Sequence, residues 1–194
     1  MRGVKWNSLV LFFLVTGLSN NVSFAEDTIY TDQDLKFLHH MAIHHQQAVD
    51  MSMLVPARTD RQEFIRYASY VKRAQAAEID YINSLLDLAE TRGQQISREP
   101  LSGDPPMRGM LSTTQMNALQ VSTGDEFVKL WLEGMIHHHQ GAIDMSKVQQ
   151  QHQLDMGHRP YGLQVLVEDI LTEQRYEITK MQRWLREWGL VNQD

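Results

Sequence analysis

Residues 37–54, FLHHMAIHHQQAVDMSML, and residues 131–148, WLEGMIHHHQGAIDMSKV, are two copies of one segment. They match at Leu38/Leu132, Met41/Met135, His44/His138, His45/His139, Gln46/Gln140, Ala48/Ala142, Asp50/Asp144, Met51/Met145 and Ser52/Ser146. The stretches that follow also echo each other: QAAEIDYINSLL at 75–86 and QRYEITKMQRWL at 174–185 share the Gln, the Glu-Ile pair and the last Leu. Each copy reads as a helical hairpin. One hairpin cannot bury its own apolar stripe but two packed together can, so the duplication implies an all-α four-helix bundle.

Local signals agree. Thr31 with Asp34 three residues on is an N-cap pattern, and apolar residues then recur through Phe37, Met41, Ala48 and Val55 until Pro56 stops the helix. A second helix is expected from Thr59 or Asp60, with Phe64, Ala68, Val71, Ile79, Ile82 and Leu86 on its face, ending at Gly93. Residues 94–121 read as a linker containing Pro100, Pro105 and Pro106, with one short helix near STTQMNALQ. Thr123 and Glu126 form a capping-box pattern that opens a third helix running to about Gly157. Pro160 suits the start of a fourth, which carries Leu163, Leu166, Val167, Ile170, Leu171, Ile178, Met181 and Leu185 toward Trp188 and Gly189. No segment has strand periodicity.

The first 25 residues read differently. Arg2 and Lys5 precede the apolar run LVLFFLVTGL, and Ser23 and Ala25 are small residues suited to cleavage, so residues 1–25 are expected to be a secretory signal. The mature chain, 26–194, is then one bundle domain, with repeat one at about 31–93, the linker at 94–121 and repeat two at about 122–189. Loss of Arg2 and Lys5 takes the formal charge from −6 to −8, which argues against nucleic acid and anionic lipid as partners. No other segment is apolar enough to insert in a membrane. With no cysteine there is no disulfide framework, and a soft metal ligand must come from the 11 methionines or 9 histidines.

The repeated segment concentrates those residues on one face. At about 100° per residue, with Met41 at zero, Ala48 falls near −20°, His45 near 40°, His44 near −60° and Met51 near −80°. Met135, His138, His139, Ala142 and Met145 repeat the pattern, and His40 adds an i,i+4 pair with His44. The candidate metal ligands are therefore His40, Met41, His44, His45, Met51, Met135, His138, His139 and Met145. Thioether beside imidazole favours copper(I), with silver(I) as a mimic, whereas zinc more often takes thiolate or carboxylate. Asp50 and Asp144 fall about 180° from the methionine, so the stripe itself carries no carboxylate. Occupancy is expected to fall as pH drops through the histidine range, near ~6.5.

Other residues are lesser candidates. Met107 and Met110 in the linker, with His152, Met156 and His158 before the fourth helix, are either further copper ligands or ordinary loop residues. Met53 and Met116 are expected to serve packing. Gln75, Glu78, Gln174 and Glu177 are expected to make polar contacts between helices or to bond a ligand histidine. Catalysis is disfavoured: the chain has no Glu-x-x-His, no His-Glu-x-x-His, no cysteine nucleophile and no Gly-x-Ser-x-Gly.

With FLHHMAIHHQQAVDMS, EFVKLWLEGMIHHHQGAIDMS, MNALQVSTGDEF and the QxxEI pattern, the chain resembles the exported His/Met-rich CopM-like copper-binding proteins. These form a ferritin-like bundle family long carried as a domain of unknown function. The resemblance spans about residues 31–188 and centres on M-x-x-H-H-x-x-A-x-x-M, present twice. It implies a ferritin-like bundle with a long central crossover, in a periplasmic protein that binds Cu(I), with Cu(II) as a further candidate, and protects the cell from copper. By that resemblance the ligands are Met41, His44, His45 and Met51 in one copy and Met135, His138, His139 and Met145 in the other. His40 and His137 are extra imidazoles. A copper efflux or transport protein is a candidate partner. Two other readings stay open: a metal-dependent oxidoreductase, and a metal-free helical module that binds a protein.

Overall fold

The computed structural model describes residues 29–191, and the signal expected over 1–25 lies outside them. Among the described residues the regular elements are all helical: α1 Asp32–Leu54, α2 Gln62–Thr91, α3 Thr113–Val121, α4 Gly124–Met156 and α5 Tyr161–Glu187, with a short 3-10 turn Val55–Ala57 after α1. Thr31 caps α1, accepting from the Asp34 amide while the Asp34 carboxylate accepts from the Thr31 amide, as its sequence suggests. The same reciprocal pair, Ser112 and Gln115, opens α3. At α4 the expectation fails. Thr123 is the N-cap but its side chain makes no capping bond, and the neighbouring Gly124 amide instead donates to the Arg58 carbonyl at 2.7 Å. A tertiary partner for the first turn takes the place of the local box.

Two apolar clusters define how the helices run. One joins Ala48, Met51 and Val55 at the end of α1 to Phe64, Tyr67 and Val71 at the start of α2, Phe127, Trp131 and Met135 at the start of α4, and Met181, Trp184 and Leu185 at the end of α5. The other joins Leu35, Leu38 and Met41, Ile82 and Leu86, Ala142 and Ile143, and Leu163, Leu166 and Ile170. Thus α1 is antiparallel to both α2 and α4, α5 is antiparallel to α4, and α2 runs in the same direction as α4. The connection from Arg92 to Thr123 must therefore travel the length of the bundle. This is a ferritin-like four-helix bundle made of two hairpins with a long central crossover.

The crossover is held by specific bonds where it passes α1 and α4. The Gln47 side chain accepts from the Leu111 amide at 2.7 Å and donates to its carbonyl at 2.9 Å, replacing the pairing a neighbouring strand would give. Gly109, at φ +82°, lies directly on Gly141 of α4. A Cβ on Gly141 would sit 2.3 Å from the Arg108 carbonyl oxygen, so only glycine admits the crossing. Arg108 also donates to Asp144 at 3.1 Å. The result is a strap, residues 107–111, laid across the middle of the bundle.

Candidate metal centre

Between the two apolar clusters lies a polar layer. His44 and His45 on α1 and His138 and His139 on α4 are all 0% exposed, and the rings of His44 and His138 have centroids 3.8 Å apart. The antiparallel pairing of α1 with α4 puts the two copies of the repeat face to face about an approximate twofold. The methionines obey the same relation. Met51 shares a cluster with Met135, while Met145 packs on the cluster that holds Met41, so each side of the layer carries one methionine from each repeat. Met41, Met51 and Met135 are fully buried; Met145 is half-buried.

Three of the four imidazoles have Nε2 hydrogen-bonded and Nδ1 unpaired, and His45 has neither nitrogen in an aligned hydrogen bond. His44 Nε2 donates to the Arg108 carbonyl on the strap at 3.1 Å, and His138 Nε2 donates to the His44 carbonyl at 2.8 Å. A carbonyl only accepts, so both rings carry their proton on Nε2. His139 Nε2 pairs with Glu177 Oε2 of α5 at 2.6 Å, and His45 Nε2 lies 2.6 Å from Glu78 Oε2 of α2, though without good hydrogen-bond alignment. The Nδ1 atoms of all four are buried with no hydrogen-bond partner.

Burial holds the His44 imidazole down to about 3, with His45 and the His139 and His137 charges adding to the effect and the Arg108 hydrogen bond opposing it. His138 is likewise pushed well below the usual histidine range, first by burial and then by His44 and His139. Both rings are therefore neutral at ordinary pH, with a lone pair on Nδ1. Proton competition at these two begins well below the value near ~6.5 expected from an isolated histidine.

The carboxylates come from the partner helices rather than from the stripe. Glu78 and Glu177, equivalent in the repeat, each reach a histidine of their own hairpin, which is the alternative role the sequence left open for them. Gln75 and Gln174, one turn earlier on α2 and α5, are also buried, and Gln75 Oε1 and both polar atoms of Gln174 are unpaired. Tyr67 supports the layer from α2, donating to the Glu177 carbonyl at 3.5 Å.

The remaining candidates scatter. His40 is half-buried and lines a surface groove with Lys36, Phe37, Arg108, Asp144 and Met145, apart from the central layer. His137 is exposed on the outer face of α4. His152 Nε2 is 3.0 Å from the Thr31 hydroxyl, and His158 Nε2 donates to the Ile29 carbonyl at 2.9 Å, so both tie the start of α1 to the end of α4. Within the strap Met110 is buried and Met107 is half-buried, while Met156 is exposed. Met116 packs on the core, whereas Met53, expected to pack, is 57% exposed. It lies two residues past Met51, which turns it about 200° from that buried position. Among the described residues no three His, Asp or Glu side chains form a ready-made metal shell. Asp50 and Asp144 accept from Gln46 and Gln140 on the surface, as their position on the helix implies.

A family model described as domain of unknown function (DUF305) matches residues 34–185. The chain belongs to this family. A DUF305 protein from Streptomyces coelicolor, a candidate secreted protein, is 30% identical over 81% of this chain and 94% of its own, with a TM-score of 0.66. A DUF305 fragment from Deinococcus radiodurans is 27% identical over 81% and 97%, with a TM-score of 0.68. CopM in its Cu(I)-bound form is 23% identical over 82% and 98%, with a TM-score of 0.60, and shares the fold. No curated protein matches the chain.

Proposed function

We propose that this DUF305 protein sequesters or carries copper(I) in the layer between its two repeats. The observation that carries this reading is the set of four buried Nδ1 atoms without partners, flanked on each side by thioethers. Leaving a polar nitrogen buried and unbonded costs on the order of 1–3 kcal/mol, so four such atoms in one layer are an expense that packing alone does not explain. Copper(I) accepts two or three soft ligands, which suits pairs of imidazoles and thioethers better than a closed shell of carboxylates does. Neutral imidazoles bind it without first losing a proton at ordinary pH. CopM, of the same fold, has been solved with Cu(I), Cu(II) and silver bound, which supports the choice of metal.

In this reading the ligands are drawn from Met41, His44, His45, Met51, Met135, His138, His139 and Met145, with His40 as an outer ligand in the Met145 groove. Cu(II) and Ag(I) are secondary cargoes. The protein works without catalysis, as a soluble domain of residues 26–194 in the periplasm after loss of residues 1–25. It contributes to copper resistance and passes its ion to an efflux or transport protein. No helix among the described residues is long and apolar enough to cross a membrane, which agrees with this placement.

The test is an anaerobic titration with Cu(I) against a chromogenic chelator, beside a variant with His44, His45, His138 and His139 all changed to alanine. The wild-type chain should take copper from the chelator and the variant should not. If a folded wild-type chain takes none, the layer is a polar core and the proposal fails.

A further inference from the structure

The two hairpins present the same unassigned device. Glu78 and Glu177 occupy equivalent positions of the repeat, each projects from the second helix of its hairpin, and each meets Nε2 of the second histidine on the first helix at 2.6 Å. Between His139 and Glu177 this is a hydrogen bond, and because an ionised carboxylate only accepts, the ring supplies the proton from Nε2; His45 and Glu78 are equally close but not aligned for a bond. The first histidine of each pair has Nε2 committed as well, to a backbone carbonyl. Nε2 of His44, His138 and His139 is thus hydrogen-bonded and that of His45 lies against Glu78, whereas every Nδ1 is buried without a partner.

We propose that Glu78 and Glu177 are positioning residues that hold the Nε2–H of His45 and His139, so that the layer offers all four imidazoles to copper through Nδ1. This assignment rests on the proposed copper site and deepens it by naming the ligating atom. The carbonyls of Arg108 and His44 do for His44 and His138 what the two carboxylates do for the others. The arrangement fixes tautomer and ring orientation before the ion arrives and makes the carboxylate-backed rings stronger donors. It also divides the layer into two kinds of imidazole. His44 and His138 are backed by neutral carbonyls, while His45 and His139 are backed by anions.

The experiment reads nitrogen atoms directly. In protein labelled with ¹⁵N at histidine, long-range proton–nitrogen spectra of the metal-free chain should show the proton on Nε2 at all four positions. Anaerobic Cu(I), which is diamagnetic, should shift Nδ1 and leave the Nε2–H signals in place. Glu78→Leu with Glu177→Leu should release His45 and His139 into mixed tautomers and weaken copper binding tenfold or more. Glu78→Gln with Glu177→Gln keeps an accepting oxygen and should restore both the tautomer and most of the affinity. His44 and His138, whose partners are backbone atoms, should keep their tautomers in either variant and so report that the fold is intact.

Loss of Nε2–H on copper binding overturns the proposal. So does a proton on Nδ1 of His45 or His139 in the metal-free wild type, or a leucine pair that changes neither tautomer nor affinity. A chain that takes no copper at all while showing the expected tautomers defeats the copper site itself, and the role of Nδ1 as a ligand falls with it.

Discussion

His44 shows how much one buried side chain can be asked to do. Its ring is 0% exposed, donates to the Arg108 carbonyl, lies against His138, and is held down to about 3 chiefly by burial. An unfolded histidine titrates near ~6.5, so between the two values the unfolded chain binds the extra proton and the folded chain does not. The folded value is depressed, and the contribution to stability is complete above about pH 6.5 and is lost as pH falls toward 3. The slope is about 1.4 kcal/mol per pH unit for His44, and His138 acts in the same direction. The groups acting on it are His45 on its own helix, His137, His138 and His139 on α4, and the Arg108 carbonyl of the strap. Urea unfolding at pH 7, 6, 5 and 4.5 should show the midpoint falling steadily below 6.5, with a shallower fall in His138→Leu.

At the scale of elements, the strap decides whether α1 and α4 can present their histidines as they do. Its carbonyl at Arg108 holds His44, and its passage depends on the contact between Gly109 and Gly141. Gly141→Ala places a methyl 2.3 Å from the Arg108 oxygen and 2.5 Å from the Gly109 Cα, both backbone atoms that cannot swing aside. The strap must lift, at a cost of about 1–3 kcal/mol typical of an overpacked contact. Hydrogen exchange over residues 107–111 should accelerate while exchange in the centre of α5 does not. Gln47→Ala, which removes both bonds to Leu111, should give the same local acceleration with no steric conflict. Unchanged exchange in both variants would mean that the strap is held by something other than these contacts.

For the whole molecule, the approximate twofold makes a quantitative demand. His44 and His138 come from different repeats, yet their rings are 3.8 Å apart, so under the proposed function an ion bound by both histidine pairs would be shared by the two hairpins. His44→Ala with His45→Ala, and separately His138→Ala with His139→Ala, should each remove nearly all high-affinity copper. Two independent sites would leave half of it in either variant, and metal analysis after gel filtration separates the cases. Copper that binds only the folded chain also stabilises it, by about 2.7 kcal/mol when free copper is a hundred times the dissociation constant. The thermal midpoint of wild type should rise accordingly, and that of either double variant should not.

The sequence by itself was enough for the helices, the duplication and the face on which the histidines and methionines lie, because those follow from periodicity within one segment. It also identified Glu78 and Glu177 as repeated polar positions, though not which side chain each would meet. The antiparallel docking of α1 on α4, the pairing of Met41 with Met145 and of Met51 with Met135, the strap over His44 and the missing cap at Thr123 belong to the tertiary structure alone. Each is a contact between residues far apart in the chain, and no local spacing specifies it. Which nitrogen is engaged on His44, His138 and His139 is decided in the same way. The choice rests on a carbonyl from the crossover, a carbonyl from the opposite repeat and the Glu177 carboxylate from a partner helix, and these meet only when the bundle closes.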